Sequence, residues 1–382
     1  MDCRIRVVGY RVLYSGSYRG HGTIGGSIVD LGDHWLGVFG SGPFEDDEAG
    51  QHPFQTTTCD AGRTWSPPTP FGPPLTGDLA RQSLGLVVSG PTRRGSLLVN
   101  GAHMSLGDEA KRFYQDLGFR AYTLVMGRRE AGAGDFTWAR HPPGTFLGEQ
   151  FVERGVELAD GRLVFAIWGV AHRGENWQCG VLLSDDDGCT WRYRQVGYEP
   201  DAAIRDRPGD SGYPAGFNEQ SLFALPNGRL VSLIRGRERL GRLANSPRDT
   251  WFFRSVSVDA GESWSTPVAI GVAGTGAAGV GWVLPDGSLL HACRVPYARA
   301  VHPLAETDLF GLHLARSHDE GVSWHTELVL QRDPEGRPFT KHYNVMNGQF
   351  IHQAEGRALY AFGQFDTAAG VYRMLALELC LG

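Results

Sequence analysis

No apolar run in this chain is long enough to cross a bilayer as a helix, which needs about 20 consecutive apolar residues. A basic surplus is also missing. The 36 Lys and Arg stand against 42 Asp and Glu, a net charge of −6, so neither nucleic acid nor a membrane is an expected partner. The six cysteines, at 3, 59, 179, 189, 293 and 380, show no CxxC or other metal-ligand spacing. Unpaired thiols are expected, with no metal or other cofactor. The opening Met1-Asp-Cys-Arg-Ile-Arg is polar and strand-like, without the charged and apolar regions of a secretory signal, so a cytoplasmic location is expected.

Glycine, by contrast, is abundant at 53 residues, alongside 10 Trp and 19 Phe, a composition that suits many short strands and tight turns. One octapeptide recurs four times: Thr58-Cys-Asp-Ala-Gly-Arg-Thr-Trp65, Ser184-Asp-Asp-Asp-Gly-Cys-Thr-Trp191, Ser257-Val-Asp-Ala-Gly-Glu-Ser-Trp264 and Ser317-His-Asp-Glu-Gly-Val-Ser-Trp324. It reads as a hairpin turn: the Asp accepts bonds from nearby backbone N–H groups, Gly permits the reversal, and Trp anchors the returning strand. Its aspartates fall at 60, 186, 259 and 319, with gaps of 126, 73 and 60. The first gap is double, and Ala131-Gly-Ala-Gly-Asp-Phe-Thr-Trp138 supplies the worn copy expected inside it.

A second repeat, a Gly turn opening an apolar run, gives an independent count. It occurs at Thr92–Leu98, Ala159–Val164, Pro226–Val231, Pro285–Leu290 and Ala354–Leu359, with a degenerate copy at Leu31–Leu36. Six turns over 382 residues leave about 64 per repeat, enough for a four-stranded blade. The expected fold is all-β, a single six-bladed β-propeller domain of four-stranded antiparallel blades over 1–382. The N-terminal Arg4–Val8 is expected to close the last blade beside Tyr372–Leu377, which removes a sheet edge.

Both repeat turns lie on one face, so variable residues gather on the other, around the axis. Aligned on the Gly turn, blade 4 places Glu219 at the start of strand 1 and Arg235 at the end of strand 2. The same slots hold Gly25 and Ser41, roughly Leu86 and Ala102 or His103, Val152 and Trp168, Ala278 and Arg294, and Asn347 and Gly363 in the other blades. One carboxylate and two guanidiniums therefore converge at the axial mouth. A mutual structural ion pair would also account for Glu219 and Arg235, although a paired arginine keeps N–H donors for a ligand.

Crossing loops add candidates. Glu45, Asp46, Asp47 and Glu48 crowd the blade 1 loop, where carboxylates raise one another's proton affinity as a general acid requires, unless the loop is simply solvated. His172, Arg173, Glu175 and Trp177 in blade 3 make a set suited to gripping sugar hydroxyls and stacking on a ring, or an ordinary polar loop. His21 and Tyr343 face the same side.

The repeated Ser/Thr-x-Asp-x-Gly-x-Ser/Thr-Trp boxes resemble those of the sialidase superfamily, the Asp-box or BNR-repeat propellers. That resemblance implies three top-face arginines clamping a substrate carboxylate, an Asp acid/base in the blade 1 loop, and a Tyr nucleophile assisted by a Glu. The segment Phe217–Arg235 is similar to the family's Glu-to-Arg segment, and Asp46 or Asp47 falls where the acid stands. The first clamp arginine is replaced by Ile24-Gly-Gly26, leaving Arg19 nearby; the third is missing before the last box, with Arg294 as a substitute. Asn347 occupies the nucleophile's slot, and Tyr343 lies four residues early.

The expected function is a sialidase-like glycoside hydrolase on a terminal sugar, not a typical sialidase. Asp46 or Asp47 is assigned as acid, Glu219 as base or nucleophile-assisting carboxylate, and Tyr343 as the nearest nucleophile. Arg235, Arg294, His172, Arg173, Trp177, Asn347, His21 and Arg19 are expected to bind a carbohydrate or another small molecule. The alternatives are a non-catalytic glycan-binding propeller and a lyase or other enzyme acting on an acidic sugar.

Overall fold

The computed structural model describes residues 5–17, 26–41, 50–77, 82–105, 122–141, 151–152, 155–169, 177–198, 216–237, 250–273, 281–296, 309–340, 342–354, 356–366 and 369–382. Six antiparallel sheets follow one another along the chain as the blades of a β-propeller. Blade 4 is representative: Phe217–Ala224, Leu230–Arg237, Thr250–Ser257 and Val268–Ala273 pair in chain order. In blade 3 the first strand is split into Phe151–Val152 and Val156–Glu157, both paired with Leu163–Gly169. Middle strands are covered on both faces by neighbouring blades. Leu163–Gly169 and Gln178–Ser184 are accordingly buried at every position.

The N-terminal strand does close blade 6, pairing antiparallel with Val371–Cys380. It runs from Arg6 to Ser17, well beyond the stretch ending at Val8 that the sequence suggested. The extension is held by Leu13, 1% exposed in the core between blades 6 and 1, while Gly9 interrupts the apolar pattern and hides the continuation. Side chains also stitch blade to blade. Gln349 accepts from Ile28 N at 3.0 Å and donates to its carbonyl at 3.1 Å, so a blade 6 amide mimics a strand partner for blade 1.

Each box folds as its residue types require. In the second, Asp186 accepts from Ser184 Oγ at 2.8 Å, Thr190 N at 2.8 Å and Thr190 Oγ1 at 2.6 Å, and Trp191 Nε1 donates to Gly188 O at 3.1 Å. The residue after each Asp is left-handed: Ala61, Asp187, Ala260 and Glu320 have φ of 56–59°. Its carbonyl consequently faces the preceding blade, where an arginine donates to it: Arg11 to Ala61 at 3.0 Å, Arg128 to Asp187 at 2.8 Å, Arg162 to Ala260 at 3.2 Å and Arg254 to Glu320 at 2.7 Å. Blade 6 has no box, and Arg316 of blade 5 instead donates to the Leu381 carbonyl at 2.7 Å.

The boxes give stability an acid limit. Hydrogen bonds from Ser263 and Ser257 hold Asp259 below the usual carboxylate range. Partial burial opposes ionisation at Asp186 and Asp319, yet bonds from Thr190 and Ser184, and from Ser323 and Ser317, outweigh it and bring both down to about 2. A carboxylate whose folded pKa lies below its unfolded value of about 3.9 contributes stability above that value and loses it as pH falls through the folded one. The urea midpoint should therefore drop steeply between about pH 4 and pH 2. Asp186→Ala should cost about 1 kcal/mol at pH 7, as loss of a comparable helix cap does, and should flatten that acid slope.

Candidate functional site

Strands 1 and 2 of each blade join at the Gly turn, so the start of strand 1 and the end of strand 2 lie at the opposite end from the boxes. In blade 4 that end is distorted. Asn218 pairs with Arg235 and Gln220 with Ile234, leaving Glu219 as the extra residue of a β-bulge. Glu219 has φ of 46°, the one left-handed non-glycine among the described residues outside the box turns. A bulge re-aims a side chain, and this conformation costs about 1–3 kcal/mol for a residue with a Cβ.

The bulge points the carboxylate at its neighbour across the strands. Glu219 Oε2 lies 2.6 Å from Arg235 Nη1, with both side chains about four-fifths buried. Asn218, 3% exposed, accepts from Arg235 Nε at 2.9 Å and fixes the plane of the guanidinium. Arg235 Nη2 has no partner among the described residues. From blade 5, Arg294 approaches the same pair at 7% exposure, its guanidinium 4.4 Å from the centre of the Phe310 ring. Burial, then the charge of Arg235, pushes the Arg294 pKa down to about 10, while Glu219 pushes it back up. Arg294 thus stays charged at neutral pH. Among the described residues two guanidiniums face one carboxylate there, an arrangement suited to an anion or a polyol.

Other predicted residues stand elsewhere. Tyr343 is 4% exposed; its hydroxyl donates to Asp333 at 2.9 Å and accepts from Gln364 at 2.9 Å. Burial and the Asp333 carboxylate raise its pKa, opposite to what a phenolate nucleophile needs. Trp177 requires a correction. It is 2% exposed, set at 5.4 Å against Trp168 in the core shared by blades 3 and 4, so it is closed to stacking on a sugar ring. The cause is strand pairing: Trp177 bridges Gly216 and accepts from Phe217 N at 3.1 Å. Asn347 lies within the irregular stretch between Asn344 and Gln349 of its strand. Arg19, His21, Asp46, Asp47, His172 and Arg173 fall outside the described residues.

Asn218 and Phe310 were not singled out in the sequence. Asn218 meets Arg235 only because the bulge shifts the register by one residue, and Phe310 comes from a different strand of a different blade, so neither leaves a local signal.

The model of the BNR repeat-like domain family matches residues 136–357. A search of curated proteins finds no match. Among solved structures, a protein of unknown function from Dyadobacter fermentans DSM 18053 is similar over 100% of both chains, with a TM-score of 0.70 and 16% identity. The NanB sialidase of Streptococcus pneumoniae, solved with 2-[(3-chlorobenzyl)ammonio]ethanesulfonate, gives a TM-score of 0.60 at 13% identity, over 97% of this chain and 70% of that one. The Trypanosoma rangeli sialidase in complex with the inhibitor DANA gives 0.59 at 13% identity, over 94% of this chain and 55% of that one. At such identities the likeness is one of fold.

Proposed function

We propose that this chain, which belongs to the BNR repeat-like domain family, is a glycoside hydrolase that takes a terminal sugar at the axial mouth and is not a typical sialidase. The observation that carries this reading is the strained Glu219, aimed at Arg235 beside a buried Arg294. Strain of this kind persists where surrounding structure enforces it, and it concentrates at working sites. Glu219 serves as base or nucleophile-assisting carboxylate and Asp46 or Asp47 as general acid. Arg235 and Arg294 anchor the substrate, with Arg19, His21, His172, Arg173 and Asn347 as further contacts. Two anchoring guanidiniums in place of a clamp of three suit a sugar other than sialic acid.

The test is a screen of 4-nitrophenyl glycosides together with a sialoside. Release of nitrophenol from at least one sugar, faster than from the sialoside, is expected. Silence across the panel, with binding still detected, would replace this reading by the second: a propeller that binds glycans without cutting them. One observation favours that second reading, since the Tyr343 hydroxyl is engaged by Asp333 and Gln364 and its pKa is raised.

A further inference from the structure

The junction between blades 1 and 2 differs from those between blades 3 and 4 and between blades 4 and 5 on the face that carries the tryptophan-ended turns. Between blades 3 and 4, Arg162, Arg192 and Arg194 close on Asp185 and Glu262. Between blades 4 and 5, Arg229 and Arg254 close on Glu320. Counted from the box aspartate, the position of Arg254 is Gln55 in blade 1 and that of Arg192 is Ser66. His34 closes its turn through a bond from Leu31 N, as Arg229 does from Leu225 N, and so takes the place of that arginine. On the blade 2 side the worn box has Phe136 where the third box has Glu262, counting back from the tryptophan.

Loss of these ion pairs leaves space. A cavity of about 260 Å³ opens there, lined among others by Leu31, His34, Gln55, Thr57, Thr69 and Arg129. Arg129 rests its guanidinium 5.3 Å from the centre of the Phe136 ring and has no carboxylate partner among the described residues. Gln55, Thr57 and Thr69 offer amide and hydroxyl groups, and Leu31 an apolar wall. A volume just under the usual range of about 300–1,000 Å³ suits a group the size of one ring.

We propose that this cavity is a second ligand site, for a single hydroxylated ring bearing one acid group, of the uronic-acid class. Arg129 takes the carboxylate through charge-assisted bonds, and Gln55, Thr57 and Thr69 take ring hydroxyls. The site is independent of the axial mouth, because it sits at the opposite end of the blades.

Titration of the full-length protein with glucuronate tests this directly. In an Arg294→Leu background, which weakens the axial mouth, saturable binding with a Kd near or below about 1 mM is expected, and adding Arg129→Gln should weaken it at least about tenfold. Glucose and inorganic phosphate should each bind at least about tenfold more weakly than glucuronate. Thr69→Trp keeps Arg129 and alters an exposed residue at the rim, so loss of binding in that variant supports the site even if Arg129→Gln fails to fold. Four results would overturn the proposal: no saturation by about 10 mM glucuronate, phosphate binding as well as glucuronate, glucose binding as well as glucuronate, or a loss that follows Arg294→Leu and not the cavity variants.

Discussion

Glu219→Gln should lower turnover of any glycoside the protein cleaves by about 10²–10⁴-fold, the range a positioned acid or base supplies. The change keeps the shape of the side chain and removes its charge, so Arg235 and Arg294 lose the carboxylate both of them face. The fold should survive, because the left-handed conformation of residue 219 is imposed by the Asn218/Gln220 bulge and not by the ion pair. Glu219→Gly sharpens the test. Glycine adopts φ of 46° without a Cβ penalty, and that gain offsets part of the cost of leaving the largely buried Arg235 without its carboxylate, which reaches about 3–5 kcal/mol for a fully buried pair. A folded protein with a melting temperature lowered by a few degrees and no turnover is the expected result. A glycine variant that keeps its activity would remove Glu219 from the chemistry altogether.

Arg294→Leu should separate stability from binding in the opposite way. A guanidinium buried to 7% exposure, held close to another of like charge, costs desolvation that Glu219 and the Phe310 ring help to offset. Replacing it by an apolar side chain is expected to leave the melting temperature unchanged or raise it by a few degrees, corresponding to about 0–1 kcal/mol. Affinity for an acidic or hydroxylated ligand at the axial mouth should fall about 10–100-fold, the worth of one or two charge-assisted bonds. Calorimetric melting and ligand titration on one preparation decide the matter. A marked loss of stability with unchanged affinity would make Arg294 part of the scaffold only.

The fold was legible because its signals are local and repeated. Asp60, Asp186, Asp259 and Asp319 satisfy donors within four residues, and the Gly turns need only positive φ, so each copy reports itself. The spacing of Glu219 and Arg235 was legible for the same reason, since both sit in one hairpin counted from Gly228. What escaped depends on distant partners. Trp177 reads as a loop aromatic until it pairs with Gly216, thirty-nine residues on. Tyr343 reads as a nearby hydroxyl until Asp333 and Gln364 engage it. The bulge at Glu219 is the subtlest case: the residue types around it give no hint of a left-handed backbone, because the strand pairing imposes that conformation.

The long outer strand Arg6–Ser17 has a consequence for synthesis. It docks on Val371–Cys380, so a strand made early waits for one made some 350 residues later before its backbone groups are matched. Until then a nascent chain carries five blades with an unclosed seam at each flank, and a loop of some 360 residues must be gathered before the seam is sewn. Closure thus waits for Val371–Cys380 and has high contact order, and a slow final phase in refolding, abolished together with native stability when residues 6–17 are deleted, is its natural signature.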